Sequence, residues 1–221
     1  MAGQKQIDAE LIIFDLDGTL IDSSEDIAWC ANKTLHAIGE AEMPVDVIVG
    51  HIGWGVRPLL EKLLPAKSAQ EIDVARGLFL GFYEGHLVVK TRIYPGVVET
   101  LDHFARLGKP MAVVTNKPYS LSVGILERLG LSGYFKIVLG GDSVANKKPH
   151  PEPVEKVIRD LSARPERSVL VGDSPVDCEA AVAAGAHSIG VSYGFRGAKE
   201  LEDAGCEMII DDFAALKGIL V

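Results

Sequence analysis

Six short apolar runs, each three or four residues long and none alternating with polar residues, constrain the fold of this chain more than any other feature. They are Leu11–Phe14, Met111–Val114, Lys136–Leu139, Ser168–Val171, Ser188–Val191 and Met208–Ile210. A strand covered on one face alternates apolar with polar residues. An unbroken run is what a strand covered on both faces requires, and that situation is typical of a parallel sheet. Helical patterns separate most of the runs. Tyr94–Leu107 has Pro95 near its start and Gly108 after its end; Tyr119–Leu129 is closed by Gly130, Pro151–Leu161 follows, and Pro175–Ala184 is closed by Gly185. The alternation predicts an α/β fold, a doubly wound, Rossmann-like parallel sheet.

One stretch interrupts the pattern. From about Asp22 to about Thr91 only helical signals occur. Asp22-Ser23-Ser24-Glu25-Asp26 reads as a helix N-cap with acidic first-turn residues. Ile27, Cys30, Ala31, Leu35 and Ile38 then recur at helical spacing up to Gly39, and Val56–Leu64 and Ala69–Leu87 continue the helical character. The expected organisation is a core of residues 1–21 and 92–221 with an all-helical cap, residues 22–91, inserted into it. Hinges fall near Ile21-Asp22 and Lys90-Ile93. A chain of 221 residues is long enough to bury such a core.

The formal net charge is -9. A field of that sign repels nucleic acid and anionic membranes, so neither is an expected partner. Lys147-Lys148 is only a pair, not a basic tract. The cysteines, Cys30, Cys178 and Cys206, are three in number and far apart. They read as reduced thiols rather than a disulfide framework or a zinc site. The apolar run after Lys5 is too short for a signal peptide or a membrane span, which together with the thiols predicts a cytoplasmic protein.

In open α/β sheets ligands bind beyond the carboxyl ends of the strands. Asp15 and Asp17 follow the first run, and Thr115 and Asn116 the second. Lys147 and Lys148 lie in the loop after the third. Gly172, Asp173, Ser174 and Asp177 follow the fourth. Carboxylates gathered in one pocket repel one another unless a cation neutralises them. Carboxylates and backbone oxygens, without His or Cys, suit a hard cation such as Mg²⁺ better than Zn²⁺. Read singly, each segment has a plainer meaning. Asp15–Thr19 makes an ordinary strand-to-turn exit, Thr115-Asn116 a loop cap, Lys148-Pro149 a solvated loop, and Asp173 and Asp177 helix N-terminal acids.

Taken together, Asp15-Leu16-Asp17-Gly18-Thr19-Leu20, the Thr115 of Val113–Lys117, the Lys148 of Lys147–Pro151 and Gly172–Asp177 give the chain its resemblance. It resembles the haloacid dehalogenase superfamily of phosphatases, in the subgroup with a helical cap after the first motif, and the phosphoglycolate phosphatases in particular. The resemblance implies that Asp15 is a nucleophile forming an aspartyl-phosphate. It implies that Asp17 is the general acid and base. Mg²⁺ would be held by Asp15, the backbone carbonyl of Asp17 and Asp173, with Asp177 in the shell. Thr115 and Lys148 would stabilise the transferring phosphoryl group. Apart from the resemblance, Leu16, Asn116 and Lys117 are candidates to line the phosphate, and Arg57 or Trp54 to close over the leaving group from the cap.

The Gly-rich turn His51–Arg57 admits a second reading, as a packing Trp54 with a surface Arg57. Tyr193–Arg196 resembles a loop of close relatives and is given no direct role, and His150 reads as structural. The expected partner is a small phosphorylated metabolite, with the chain a monomer or homodimer. Asp17 argues against a dehalogenase or a phosphonate hydrolase, both of which lack that acid. A sugar-phosphate mutase retains all four motifs and stays open. A non-hydrolytic phospho-receiver module is disfavoured by length and motif order.

Overall fold

A computed structural model describes residues 6–221; Lys5 and the start of the 1–21 segment lie outside the described residues. The central strand, β1 (Leu11–Phe14), lies between two others. The remaining elements of the core are β2 (Ile21–Asp22), β3 (Arg92–Ile93), α5 (Val97–Arg106), β4 (Met111–Val114), α6 (Tyr119–Arg128), β5 (Ile137–Leu139), α7 (Glu152–Asp160), β6 (Ser168–Gly172), α8 (Pro175–Ala183), β7 (His187–Val191), α9 (Ala198–Asp203), β8 (Met208–Ile210) and α10 (Leu216–Ile219). Six strands form one sheet in the order β5-β4-β1-β6-β7-β8. Every pairing in it is parallel.

The absence of polar alternation in β1 has a direct cause. Ile12 and Phe14 pack on one side with Leu101 and Phe104 of α5 and Leu121 and Ile125 of α6. Leu11 and Ile13 pack on the other with Val154 and Val157 of α7 and Ala180 and Ala181 of α8. All four β1 side chains are fully buried, and each contributes about 1.5–3 kcal/mol by leaving water.

Between β2 and β3 lie four helices: α1 (Ser24–Ala37), α2 (Val45–Val49), α3 (Val56–Leu63) and α4 (Ala69–Glu84). Ile27, Ala31 and Leu35 of α1 pack with Ile72, Ala75 and Phe79 of α4. The helix α4 begins in a capping box, with Ser68 and Glu71 satisfying each other's backbone amides. The chain leaves and returns through β2 and β3, which pair antiparallel with Ile21 opposite Ile93.

Beside this pair, the fully buried Asp26 carboxylate accepts from the amides of Val89, Lys90 and Thr91 at 2.8–3.0 Å and from the Thr91 hydroxyl at 2.7 Å. Burial pushes this carboxyl up, but the hydrogen bonds from Thr91, Lys90 and Val89 outweigh it and hold the group below its ordinary value.

Three details differ from the sequence reading. The Ser23 side chain does not cap α1. It donates instead to Asp17 Oδ1 at 2.5 Å, while Asp22 accepts from the Ser24 amide and hydroxyl. The five-residue α2 has no signature, because its Val45 and Val47 face solvent. The expectation of three free thiols is corrected: Cys178 on α8 and Cys206 before β8 form a disulfide with Cα atoms 5.1 Å apart. Gly190 of β7 leaves the room, since a Cβ there would come within 3.2 Å of the Cys206 sulfur. Only Cys30 is free, and it is buried. Among the described residues no helix is long and apolar enough to cross a membrane.

Candidate active site

The site forms where β1, β4 and β6 end. The Asp15 amide donates to Val171 O at 2.9 Å, which carries the β1–β6 ladder one residue past the strand and fixes the carboxylate at the edge. The chain then turns sharply. Gly18 adopts φ +82°, and a Cβ at that position would overlap the Asp173 carboxylate. Replacing Gly18 with Ala should therefore displace Asp173 and cost roughly 10²-fold in kcat/KM. Steady-state kinetics check this, and a rate within a few-fold of wild type would contradict it.

Three carboxylates meet here. Asp15, Asp173 and Asp177 are all buried, and one oxygen of each lies within 4.8 Å of the others. Lys148, 1 % exposed, is the cation among them. Its Nζ donates to Asp177 Oδ1 at 2.6 Å and to Val114 O at 2.6 Å. It stands 3.1 Å from Asp15 Oδ1, an ion pair without aligned hydrogen-bond geometry, so that oxygen is left without a hydrogen-bond partner. The second oxygen of Asp177 accepts from the Ser174 amide and hydroxyl at the start of α8. Asp173 Oδ2 accepts from the Phe195 amide at 2.7 Å.

The electrostatics follow. Burial raises the Asp15 carboxyl to about 6, against the pull of Lys148 and with the push of Asp177 and Asp17. Burial, Asp15 and Asp177 raise Asp173 well above the carboxylate range. Burial lowers Lys148, but the attraction of Asp15 and Asp177 exceeds it and keeps the ammonium charged. With all three carboxylates ionised, one lysine leaves two negative charges uncompensated, the charge of a divalent ion, and it is this charge that burial resists in the absence of a cation. The donors are all oxygen, which suits a hard cation.

Beyond the trio opens a narrow cleft. Asp15, Asp17, Thr115, Asn116 and Lys117 line its sheet side; Ile52, Val56, Leu59, Phe79 and Tyr83 of the helical insertion line the other. Thr115 is held by its amide to Leu139 O at 3.0 Å; its hydroxyl accepts from the Lys117 amide at 3.3 Å, and the residue lines the cleft with Asp15. Asn116 spends its amide nitrogen on Gly53 O and Lys148 O, both at 2.9 Å, bracing the insertion against the Lys148 loop. The Leu16 side chain is fully buried, and only its backbone reaches the Asp15 carboxylate.

Arg57 does not face this cleft. It pairs with Glu61 at 3.0 Å and with Asp73 and lines a neighbouring basic cleft with Arg76 and Lys147. Trp54 is 43 % exposed, and its carbonyl accepts from Lys147 Nζ at 2.5 Å.

Two sets of partners in the site escape sequence reasoning. Lys117 Nζ reaches both oxygens of Asp17 at 2.9 and 3.0 Å and the Tyr83 hydroxyl at 2.6 Å. Arg196, in the loop after β7, donates to the carbonyls of Val49, Gly50 and Ile52. It thereby fastens the insertion to the core from the loop that also supplies the Phe195 amide to Asp173. The only forewarning was the cluster Tyr193–Arg196 after an apolar run.

A parallel sheet that presents a buried aspartate trio and one lysine at its carboxyl edge, roofed by an inserted helical layer, defines an aspartate-based hydrolase core. The chain belongs to the haloacid dehalogenase-like hydrolase family, whose sequence profile matches residues 12–191. Within that family it is similar to proteins called phosphoglycolate phosphatase. One from Aquifex aeolicus (strain VF5) is 43 % identical over 84 % of this chain and 85 % of its own length. One from Colwellia psychrerythraea (strain 34H) is 35 % identical over 94 % and 95 %. A crystal structure from Haemophilus somnus 129pt, described as a predicted phosphoglycolate phosphatase, superposes with a TM-score of 0.89 at 31 % identity, covering 94 % of this chain and 96 % of that one.

Proposed function

We propose that the protein is a phosphoric monoester hydrolase acting on a small phosphorylated metabolite, with phosphoglycolate the leading substrate, through an aspartyl-phosphate on Asp15. The observation that carries this reading is the Asp15 carboxylate at the end of β1: its Oδ1 is paired with Lys148 at 3.1 Å, and the residue lines, with Asp17 and Thr115, a cleft roofed by the insertion.

In the first half-reaction the Asp15 carboxylate attacks phosphorus and the P–O ester bond breaks. Asp17 gives its proton to the departing alkoxide. In the second, Asp17 takes a proton from water, the water oxygen attacks the phosphoryl group, and phosphate leaves Asp15 regenerated. Lys148 and the Thr115 hydroxyl offset charge on the equatorial oxygens throughout. Leu16 contributes backbone and Asn116 positioning. The helical insertion serves as a cap that excludes bulk water and selects the leaving group.

Mg²⁺ fits the trio by charge and donor type. Asp15, Asp173 and the Asp17 carbonyl would hold it, with Asp177 behind them. Bound there, the ion supplies Lewis-acid neutralisation of the phosphoryl charge.

Chelation should abolish turnover of p-nitrophenyl phosphate, and Mg²⁺ should restore it; activity that survives chelation would sink this metal reading. Stability carries the same signature. The folded carboxyl of Asp15 sits at about 6 against an ordinary 3.8, so the folded state holds its proton more tightly than the unfolded one. Without metal, this group's effect on stability worsens as pH rises from about 4 to about 6, by about 3 kcal/mol. The melting-temperature gain on adding Mg²⁺ should therefore be larger at about pH 7.5 than at about pH 5. Equal gains would contradict the assignment.

A mutase reading draws on fold likeness. A beta-phosphoglucomutase from Clostridium difficile superposes with a TM-score of 0.79 at 20 % identity, a likeness of fold alone. Release of free phosphate rather than isomerised product from a panel of phosphate esters decides between them.

A further inference from the structure

Among the described residues, Lys117 is the one cation lining the cleft beside Asp15. Lys148 is engaged by Asp15 and Asp177 of the aspartate trio, and Arg57 by Glu61 and Asp73. Lys117 is 6 % exposed, and its position relative to the reacting atoms is tightly defined. Its Nζ sits 2.9 Å from Asp17 Oδ2, so it stands beside the group that serves the ester oxygen of the leaving group.

Around Lys117, the walls that meet the rest of a leaving group are Ile52, Val56, Leu59 and Phe79, all apolar. Tyr83 of α4 closes the far side. It is 1 % exposed, its hydroxyl is 2.6 Å from Lys117 Nζ, and the ammonium lies 4.3 Å from its ring centroid.

We propose that Lys117 and Tyr83 form a receptor for a carboxylate on the carbon that bears the phosphate ester, and so determine specificity for phosphate esters of short 2-hydroxy acids. The inference rests on the phosphatase reading above and deepens it.

Covalent geometry makes the distance argument. In such an ester the nearer carboxylate oxygen lies within about 3 Å of the ester oxygen and the other within about 4 Å. An ester oxygen in contact with Asp17 therefore brings them to the lysine beside Asp17. A carboxylate one carbon further along would fall against the apolar wall, where an unpaired charge is costly. A neutral leaving group would add no charge partner to an ammonium that is paired with Asp17 and the Tyr83 hydroxyl. The receptor also draws one residue from each layer, Lys117 from the core and Tyr83 from the insertion, so the carboxylate is enclosed only when both are in place.

The test compares kcat/KM for phosphoglycolate with that for ethyl phosphate, the neutral counterpart of similar size, in the wild type, Lys117→Met and Tyr83→Phe. The wild type should prefer phosphoglycolate, and Lys117→Met should shrink that preference by about 10- to 100-fold. Tyr83→Phe, which removes one oxygen, should shrink it less. Inhibition by glycolate should weaken in parallel, a readout that does not pass through turnover. Lys117→Met lowering both substrates by the same factor, with unchanged glycolate inhibition, overturns the proposal and makes Lys117 a positioning residue for Asp17. Wild type that hydrolyses ethyl phosphate as well as phosphoglycolate overturns it too, and leaves the phosphatase reading standing. Wild type that hydrolyses neither sinks both.

Discussion

Replacing Asp15 with Asn should abolish turnover of p-nitrophenyl phosphate in Mg²⁺, by at least ~10⁴-fold, without weakening the fold. The amide is nearly the same shape but has no nucleophilic oxygen pair to form an acyl phosphate. Stability should move the other way. Burial and two neighbouring carboxylates make the Asp15 charge unfavourable even beside Lys148, so removing it relieves repulsion in the metal-free protein. The metal-free melting temperature at neutral pH should be unchanged or higher in the variant. A dead, well-folded variant supports a chemical role. Substantial residual turnover would sink the nucleophile assignment, whatever the melting temperature.

Replacing Lys148 with Met should damage both properties. The side chain is 1 % exposed and bonds Asp177 and Val114 while pairing with Asp15. Met keeps most of the stem but strands two buried carboxylates, at about 3–5 kcal/mol. For a chain of this size that lowers the melting temperature by about 10 °C. Activity should fall roughly 10²–10³-fold, as on losing a donor to developing charge. Adding Asp15→Asn to Lys148→Met should recover part of the stability, because one stranded charge goes with it. Strict additivity of the two melting-temperature changes would show that the pair is not coupled. The opposite signs expected for two ends of one contact distinguish this arrangement from an ordinary buried ion pair.

What the sequence disclosed depended on what was local. The six runs are legible because Leu11–Phe14 and its neighbours are buried on both faces, and a strand so placed has no polar residue to spare. Helices α5 to α8 are legible from the Pro and Gly that bound them. The sheet brings Asp15, Lys148, Asp173 and Asp177 together, as their positions after the runs led us to expect, since parallel strands direct their carboxyl ends to one edge. Long-range choices were not legible. Ser23 has the composition of a helix cap and goes instead to Asp17. Arg57 looks like a substrate contact but is engaged by Glu61 and Asp73, an alternative visible only once α3 and α4 are packed. Cys178 and Cys206 give no pairing signal at a separation of 28 residues; their approach depends on the register of β7 with β8. Lys117 was read as lining the phosphate, and its partner Tyr83 lies in another layer.

The two-residue pairing of β2 with β3 carries a consequence for how such a chain changes over generations. Ile21 opposite Ile93 shuts the insertion at its base, and Asp26 clasps the returning segment to the departing helix. At the point of insertion the core therefore meets a closed stem, and beyond it touches the insertion through a few side chains, Asn116, Lys117, Lys147 and Arg196. Lengthening a loop whose ends are already joined adds little entropy cost, about 0.6 kcal/mol for each doubling. The helices above the stem are free to be exchanged, enlarged or repacked while the aspartates and Lys148 keep their places. Chemistry and taste are thus separately heritable in this architecture, and Tyr83 lies on the side that can drift.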